Sequence, residues 1–336
     1  MGDTPNNPNS KRPEPGSGLT RIPRASGMGA LPSRVPTRLG GATVHPQGHV
    51  APNNAKHDSK QRLLSKLSKV RPMSASAQRV IALTSDPQGD VATIADAISG
   101  DPSLATETLR IANSAAYRRA YPIDDLRRAV VTLGLEQARS MATAMALLGT
   151  VSSEHPLFDE LHSTSVLAAT LAGLLTTELF EVEKSTAFVA GLLSEMGAMA
   201  CLMVDDDYAA VFRSGNGDAL ERQRAELEAY GMTTWEVGAQ LLAKNRVPEA
   251  IVEAVSQPVD LRECAGATKL ARITVFSRSA APLILAAERD GTLTEARARL
   301  EELATLAGLD IGAETLLALC DWATSSASFM LGGSAI

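Results

Sequence analysis

The sequence predicts an all-α body behind an irregular amino-terminal arm. Three observations carry that reading. From residue 59 onward, apolar residues recur at helical spacing. No stretch alternates apolar and polar residues as a half-buried strand would. Aromatic residues make up 4% of the chain against 45% hydrophobic in all, so Ala, Leu and Val supply the apolar content and favour helices packed on small side chains.

Residues 1–58 precede the helical pattern. They are rich in Pro, Gly, Asn and Ser, and the first aromatic residue of the chain is Tyr117. Such a segment cannot bury enough apolar surface to offset the entropy of ordering it, so the arm is expected to be disordered. Within it TRIPR (20–24) and SRVPTR (33–38) share an order of hydroxyl, Arg, β-branched residue, Pro and Arg. Arg21, Ile22, Pro23 and Arg24, with Arg34, Val35, Pro36 and Arg38, form a candidate docking peptide: Pro holds the chain extended and the branched residue fills a small pocket. A solubilising arm with chance repetition is the plainer reading. Contact with nucleic acid or another acidic surface is a third, since Arg and Lys without aromatics supply charge but no base stacking.

The helices follow in order. QRLLSKLSKV (61–70) puts Leu63, Leu64, Leu67 and Val70 on one face, and RVIALTSD (79–86) ends a second helix before Pro87. VATIADAISG (91–100) gathers Val91, Ile94, Ala95 and Ile98 and stops at Gly100. Asp101 then caps a helix whose first residue is Pro102. Asn113 and Ser114 close it, with a side-chain bond to neighbouring backbone. DDLRRAVVTLG (124–134) ends at Gly134. LEQARSMATAMALLGTV (135–151), STSVLAATLAGLLTTELF (163–180) and the apolar run AFVAGLLSEMGAMACLMV (187–204) come next. TTWEVGAQLLAK opens with Thr233 and Glu236 at capping-box spacing. PEAIVEAVSQ (248–257), a long segment over 267–290, TEARARLEELATLAG (294–308) and a last segment over 313–330 complete about a dozen helices. Residues 59–280 are read as the main helical domain and 281–331 as helices packing on it or extending it.

Charge divides the chain. Residues 1–72 hold twelve Lys and Arg against three Asp and Glu, whereas the remainder holds twenty against thirty-five. A basic arm on an acidic body implies different partners for the two parts. Cys201, Cys264 and Cys320 are odd in number and widely spaced, which reads as buried thiols of a reducing compartment. The amino terminus has no apolar core behind its charges, so no secretory signal is expected, and no uninterrupted apolar run approaches the roughly 18 residues of a membrane span. A cytoplasmic location follows as an expectation.

Most catalytic signatures are missing. No G-x-x-x-x-G-K-[ST], strand-linked G-x-G-x-x-G or G-x-S-x-G occurs. Asp205, Asp206 and Asp207 lack the alternation of a calcium loop and are expected to include the N-cap of the next helix. Of five histidines, His45, His49 and His57 fall in the arm, leaving His155 and His162 for the body, which cannot build a metal cage alone. Trp235 and Trp322 read as core or interface anchors. No cofactor is expected.

One residue stands out. Glu195 is the only charge in the run 187–204. Its neighbours one turn away (Gly191, Leu192, Ala198 and Met199) offer no cation, so a partner has to be tertiary. Buried without one, the carboxyl would turn neutral; facing solvent, it would be a rim residue.

The order of phrases ISGDPSLATETLRIANSAAY (98–117), PIDDLRRAVVTLG (122–134), AFVAGLLSEMG (187–197) and ELEAYGMTTWEVGAQLLAKNRVPEAIVEAV (226–255) resembles the HDOD domain, a relative of the HD metal phosphohydrolases found in bacterial signalling proteins. The resemblance implies an HDOD-type multi-helix fold, with Asp101, Pro102, Asn113, Ser114, Gly134, Gly191, Gly197 and Gly238 as structural motif positions. It also places an ancestral metal site. His-Asp would stand at Ser194-Glu195, one His near Thr164 (with His162 close enough to leave the placement open), another at Thr234, and a His pair at Gln257-Pro258. Those imidazoles are replaced, and Glu195 is the one first-rank ligand left, either structural or part of a polar pocket.

The expected function is therefore a non-enzymatic signalling or scaffold protein. Its helical body would bind one or more partner proteins, and its basic arm would give a second contact or a location. Two alternatives stand beside it: a nucleic-acid-binding regulator acting through the arm, and an atypical metal-dependent phosphohydrolase or cyclic-dinucleotide phosphodiesterase.

Overall fold

Helical periodicity in the sequence becomes helix throughout the body. The structure, a computed structural model, describes residues 52–68, 75–84, 88–113, 121–179, 181–215 and 217–331, all within the unit Val50–Ile336. In chain order the helices are α1 (Pro52–Ser68), α2 (Ala75–Thr84), α3 (Val91–Ser99), α4 (Pro102–Ala112), α5 (Leu126–Leu133), α6 (Leu135–Leu148), α7 (Pro156–Leu179) and α8 (Lys184–Leu192). There follow α9 (Met196–Val204), α10 (Tyr208–Ser214), α11 (Ala219–Tyr230), α12 (Thr234–Lys244), α13 (Glu249–Ser256), α14 (Lys269–Asp290), α15 (Leu293–Leu306) and α16 (Ala313–Met330), with a 3-10 turn at Glu263–Gly266. No strand occurs among the described residues. The docking-peptide candidates at 21–24 and 33–38 lie outside the described residues, as do Ser114 and Val70.

Helix α1 starts at Pro52, inside the stretch that composition assigns to the arm. Pro followed by two Asn suits a helix start as well as a loop, so composition alone misplaces this boundary. Elsewhere the caps form as read. Asp101 accepts from the Ser103 and Leu104 amides at 3.0 and 3.1 Å, with Pro102 in the first turn. Thr233 and Glu236 make both halves of the capping box on α12. Such a cap stabilises a helix by about 1 kcal/mol. Asn113 ends α4 and braces the next loop, its amide donating to Ile123 O at 2.7 Å and accepting from Ile123 N at 2.8 Å. Gly134 closes α5 with φ of 89°, a conformation that disfavours other residues.

The acidic run supplies the residue that precedes α10, as expected. Asp207 stands at the N-cap position of α10 but makes no side-chain cap bond. Asp205 instead accepts from Lys66 Nζ at 2.9 Å, tying the end of α9 to α1.

Helix α7 is the central element. Every residue from Thr164 to Thr176 is buried, because α8, α14 and α16 cover it on several sides. A helix apolar all round needs such company. The run 187–204 is not one helix: α8 stops at Leu192 and α9 begins at Met196, with Leu193, Ser194 and Glu195 buried in the break. A second apolar cluster, including Leu63, Leu157, Leu161, Met199, Tyr208 and Val237, joins α1 and the start of α7 to α9, α10 and α12. Each such large side chain contributes about 1.5–3 kcal/mol by leaving water.

Two stretches, Lys184–Val204 and Lys269–Asp290, are long and apolar enough to cross a membrane by length and composition. Neither is an uninterrupted apolar run, since Ser194-Glu195 and Arg278 break them and mean hydropathy tolerates such interruptions. Burial of 89% and 67% of these windows against other helices accounts for their apolarity within the fold.

Close helix contact sets the geometry around Glu195. A Cβ at Gly197 would overlap the Thr234 carbonyl oxygen and lie 2.6 Å from Gly238 N, so α9 and α12 meet backbone to backbone. Gly191 does the same for α8 on α7, where a Cβ would fall 2.7 Å from Ala168 O.

Candidate functional site

Glu195 occupies the break before α9 and is 2% exposed, which removes the solvent-facing reading. Its tertiary cation is Arg222, whose Nη2 donates to Glu195 Oε2 at 2.8 Å. Arg222 lies one turn into α11, a helix started by Asp218, which accepts from the Leu220 and Glu221 amides. The same guanidinium reaches one turn onward, Nε donating to Glu226 Oε1 at 3.1 Å. Glu226 is fully buried and heavily satisfied. It accepts from Tyr208 OH at 3.1 Å, Thr234 N at 2.9 Å and Thr234 Oγ1 at 3.0 Å. Arg222 also donates to Thr234 Oγ1 at 3.3 Å.

The electrostatics follow from this closure. Burial works against charge on Arg222, but Glu195, Tyr208 and Glu226 together hold its pKa above the ordinary value. Burial, reinforced by Glu226, pushes the Tyr208 phenol well above its usual range, so it remains a donor. One cation thus serves two buried carboxylates.

A second guanidinium approaches from α14. Arg278 is 3% exposed, and its Nη1 and Nη2 donate to the carbonyls of Val255 and Gln257 at 3.1 and 2.8 Å. Its Cζ lies 4.4 Å from the centroid of the Trp235 ring. Arg222 Cζ lies 5.0 Å from the same ring and 4.8 Å from that of Phe212. These cation–π contacts compensate part of the lost hydration. Unlike Arg222, Arg278 is pulled down to about 10 by burial, with Glu195 opposing and Arg222 reinforcing the change.

Thr164, Glu195, Phe212, Arg222, Trp235 and Arg278 line a cavity of about 330 Å³. Most positions expected to mark the site therefore surround one place, in different roles. Thr164 stands on the wall, its hydroxyl donating to Glu160 O at 2.9 Å. Thr234 is inside the hydrogen-bond network. Gln257 contributes its main-chain oxygen to Arg278, while its side chain donates to Glu253 O at 3.2 Å. Ser194 turns away, its Oγ donating to Gly191 O at 2.7 Å. His162 faces another cavity, of about 500 Å³, with Glu107, Met145 and Phe158, and stacks on Phe158 at 6.5 Å. Of the two candidates on α7, Thr164 is thus the one at the Glu195 site. His155 Nδ1 accepts from Leu157 N at 3.1 Å as a helix-start residue.

Sequence reasoning missed Arg222, Glu226 and Arg278. In ERQRAELE (221–228) charges occupy every face, so the buried pair looks like a surface pair. Arg278 had a usable signal: it is the only charge between Ile273 and Ala287, the same isolation that drew attention to Glu195.

The model of the HDOD domain matches residues 70–260, more than half of the chain. This chain belongs to the HDOD domain family. Its fold is similar to that of a presumed phosphohydrolase from Shewanella amazonensis SB2B, with TM-score 0.62 at 23% identity, covering 80% of this chain and 96% of that one. An HDOD domain protein with unknown function from Geobacter sulfurreducens gives TM-score 0.60 at 20% identity, covering 83% and 97%. A presumed signal transduction protein from Marinobacter aquaeolei VT8 gives TM-score 0.56 at 20% identity, covering 84% of this chain and 67% of that one. No curated protein matches.

The relation of HDOD domains to HD phosphohydrolases raises the question of a metal. The donor set does not fit one. Among the described residues no three His, Cys, Asp or Glu converge in a way that could hold an ion. Ser194, Thr164 and Thr234 are hydroxyls bonded to backbone or carboxylate, and the Glu195 carboxylate already faces a guanidinium.

Proposed function

We propose that this HDOD protein is a non-enzymatic bacterial signalling or scaffold protein. Its helical body binds a partner protein, and its basic arm supplies a second docking or localisation contact. The observation that carries the reading is Arg222 between Glu195 and Glu226. A guanidinium fixed at 2.8 and 3.1 Å from two buried carboxylates fills the electrostatic role a divalent ion would otherwise have beside Glu195. Hydroxyls at the matched ligand positions point the same way, since neutral Ser and Thr hold divalent ions weakly. Two linked weak contacts, one from the body and one from the arm, raise avidity without a catalytic step.

The test has two parts. Elemental analysis of the full-length protein is expected to find well below one equivalent of Mn, Fe or Mg, with no hydrolysis of bis-p-nitrophenyl phosphate when these metals are added. One tightly held equivalent, with turnover abolished in Glu195→Ala, overturns the reading. Affinity capture with the full chain and with a chain starting at Val50, ahead of α1, then assigns the partner contact: a protein retained by both forms binds the helices, and one retained only by the long form binds the arm.

A further inference from the structure

We infer that the cavity at Glu195 is a binding site for a small organic anion whose carboxylate or phosphomonoester group pairs with Arg278. The inference stands on the cavity alone and does not depend on the proposed signalling role.

The two guanidinia in this cavity are in opposite conditions. Arg222 has a carboxylate on each side. Arg278 is almost wholly buried, yet among the described residues no carboxylate lies within 4.0 Å of it. Its hydrogen bonds go to two neutral carbonyls, and its Nε–H has no acceptor among the described residues. A buried cation without a counter-ion is costly, by several kcal/mol even after relaxation. The Val255 and Gln257 carbonyls and the face of Trp235 fix the guanidinium without neutralising it. Fixed and under-neutralised, it is prepared for an oxyanion, which the planar N–H fork binds well.

The rest of the cavity favours an organic anion over a bare ion. Leu161, Val259, Pro282 and Phe212 give it an apolar wall, and its volume of about 330 Å³ exceeds what a single oxyanion fills. Trp235 and Ser279 line the cavity, and each carries a buried polar atom, Nε1 and Oγ, without a partner among the described residues. The acidic groups on the lining act on Arg278 at most through space, none within 4.0 Å. Glu195 is held by Arg222, Asp218 caps α11, and Glu160 is exposed. Arg213, also exposed on the lining, adds attraction for an anion.

The chain has two tryptophans, and Trp322 is 47% exposed on α16, so Trp322→Phe leaves Trp235 as the sole reporter. Full-length Trp322→Phe protein is titrated with benzoate, phenyl phosphate and benzyl alcohol while Trp235 emission is followed. The expected result is a saturable change with at least one of the two anions and none with the alcohol. Benzoate alone identifies a carboxylate ligand, phenyl phosphate alone a phosphomonoester. Arg278→Gln is expected to weaken binding at least about tenfold, the scale of a lost charge-assisted hydrogen bond. Ala219→Phe, which adds bulk at the half-exposed edge of the cavity, is expected to do the same. No saturable response to either anion, an equal response to benzyl alcohol, or undiminished binding in folded Arg278→Gln or in Ala219→Phe overturns the proposal. If Arg278→Gln fails to fold, Ala219→Phe decides alone.

Discussion

Arg222 and Glu195 meet at 2.8 Å across 27 residues of sequence, and their ion pair locks the start of α11 to the break between α8 and α9. The carboxylate that looked anomalous in an apolar run is thereby one end of a buried network that also takes in Glu226, Thr234 and Tyr208.

Removing the shared cation should be the most damaging change in that network. Arg222→Met leaves Glu195 and Glu226 buried and unpaired, and is expected to cost about 3–5 kcal/mol in urea unfolding. Glu195→Gln retains a neutral hydrogen-bond acceptor and should cost less. A loss below about 1 kcal/mol for Arg222→Met would mean that water reaches and solvates both carboxylates.

The crossing of α9 and α12 makes a second prediction. Gly197→Ala would drive a methyl into the Thr234 carbonyl, whereas a Cβ at Gly238 would approach Gly197 N only to 3.3 Å. The expected costs are at least about 3 kcal/mol for Gly197→Ala and about 1 kcal/mol for Gly238→Ala. Equal midpoints for the two variants in chemical denaturation would contradict the contact.

The fold was legible wherever a rule is local. Helical period, the Asp101-Pro102 start, the Thr233–Glu236 box and the Gly134 stop each depend on a few neighbouring residues, and each is present as read. Isolation of Glu195 in sequence limited any partner to a tertiary one but could neither require nor name it. That name depends on which face of α11 turns inward, and ERQRAELE carries charge on all faces. At the Asp205–Asp207 run the local rule found the N-cap position, Asp207, but could not foresee that Asp205 would pair with Lys66, 139 residues away.

The three thiols should be silent in the native protein. Cys201, Cys264 and Cys320 are free and buried, and burial raises all three pKa values, that of Cys320 to about 12. Low thiolate fraction and lack of access both slow attack on disulfide reagents. Titration with a chromogenic disulfide at neutral pH is expected to give no fast phase without denaturant and three equivalents with it. A fast native equivalent would show that one of these thiols opens to solvent.

His162 gives the chain a stability that depends on pH. Burial lowers its pKa from 6.5, with Asp159 opposing and Arg110 reinforcing the change. The unfolded chain therefore takes up a proton near 6.5 while the folded chain stays neutral until a lower pH. The contribution of neutral His162 is present above 6.5 and is lost as pH falls from there toward the folded value. Glu107, on the wall of the same cavity, has its pKa raised by burial against the opposing charge of Arg110. Its effect has the other sign: protonated Glu107 favours the folded state as pH falls through its folded value toward 4.5. Glu107 is common to wild type and a His162 variant, so the difference between the two isolates the histidine's share. Thermal unfolding of wild type and His162→Phe, measured between about pH 7.5 and 5.5, is expected to show the wild type losing Tm relative to the variant on acidification. Parallel curves over that range would place the imidazole in water, free of the desolvation that its position beside Phe158 imposes.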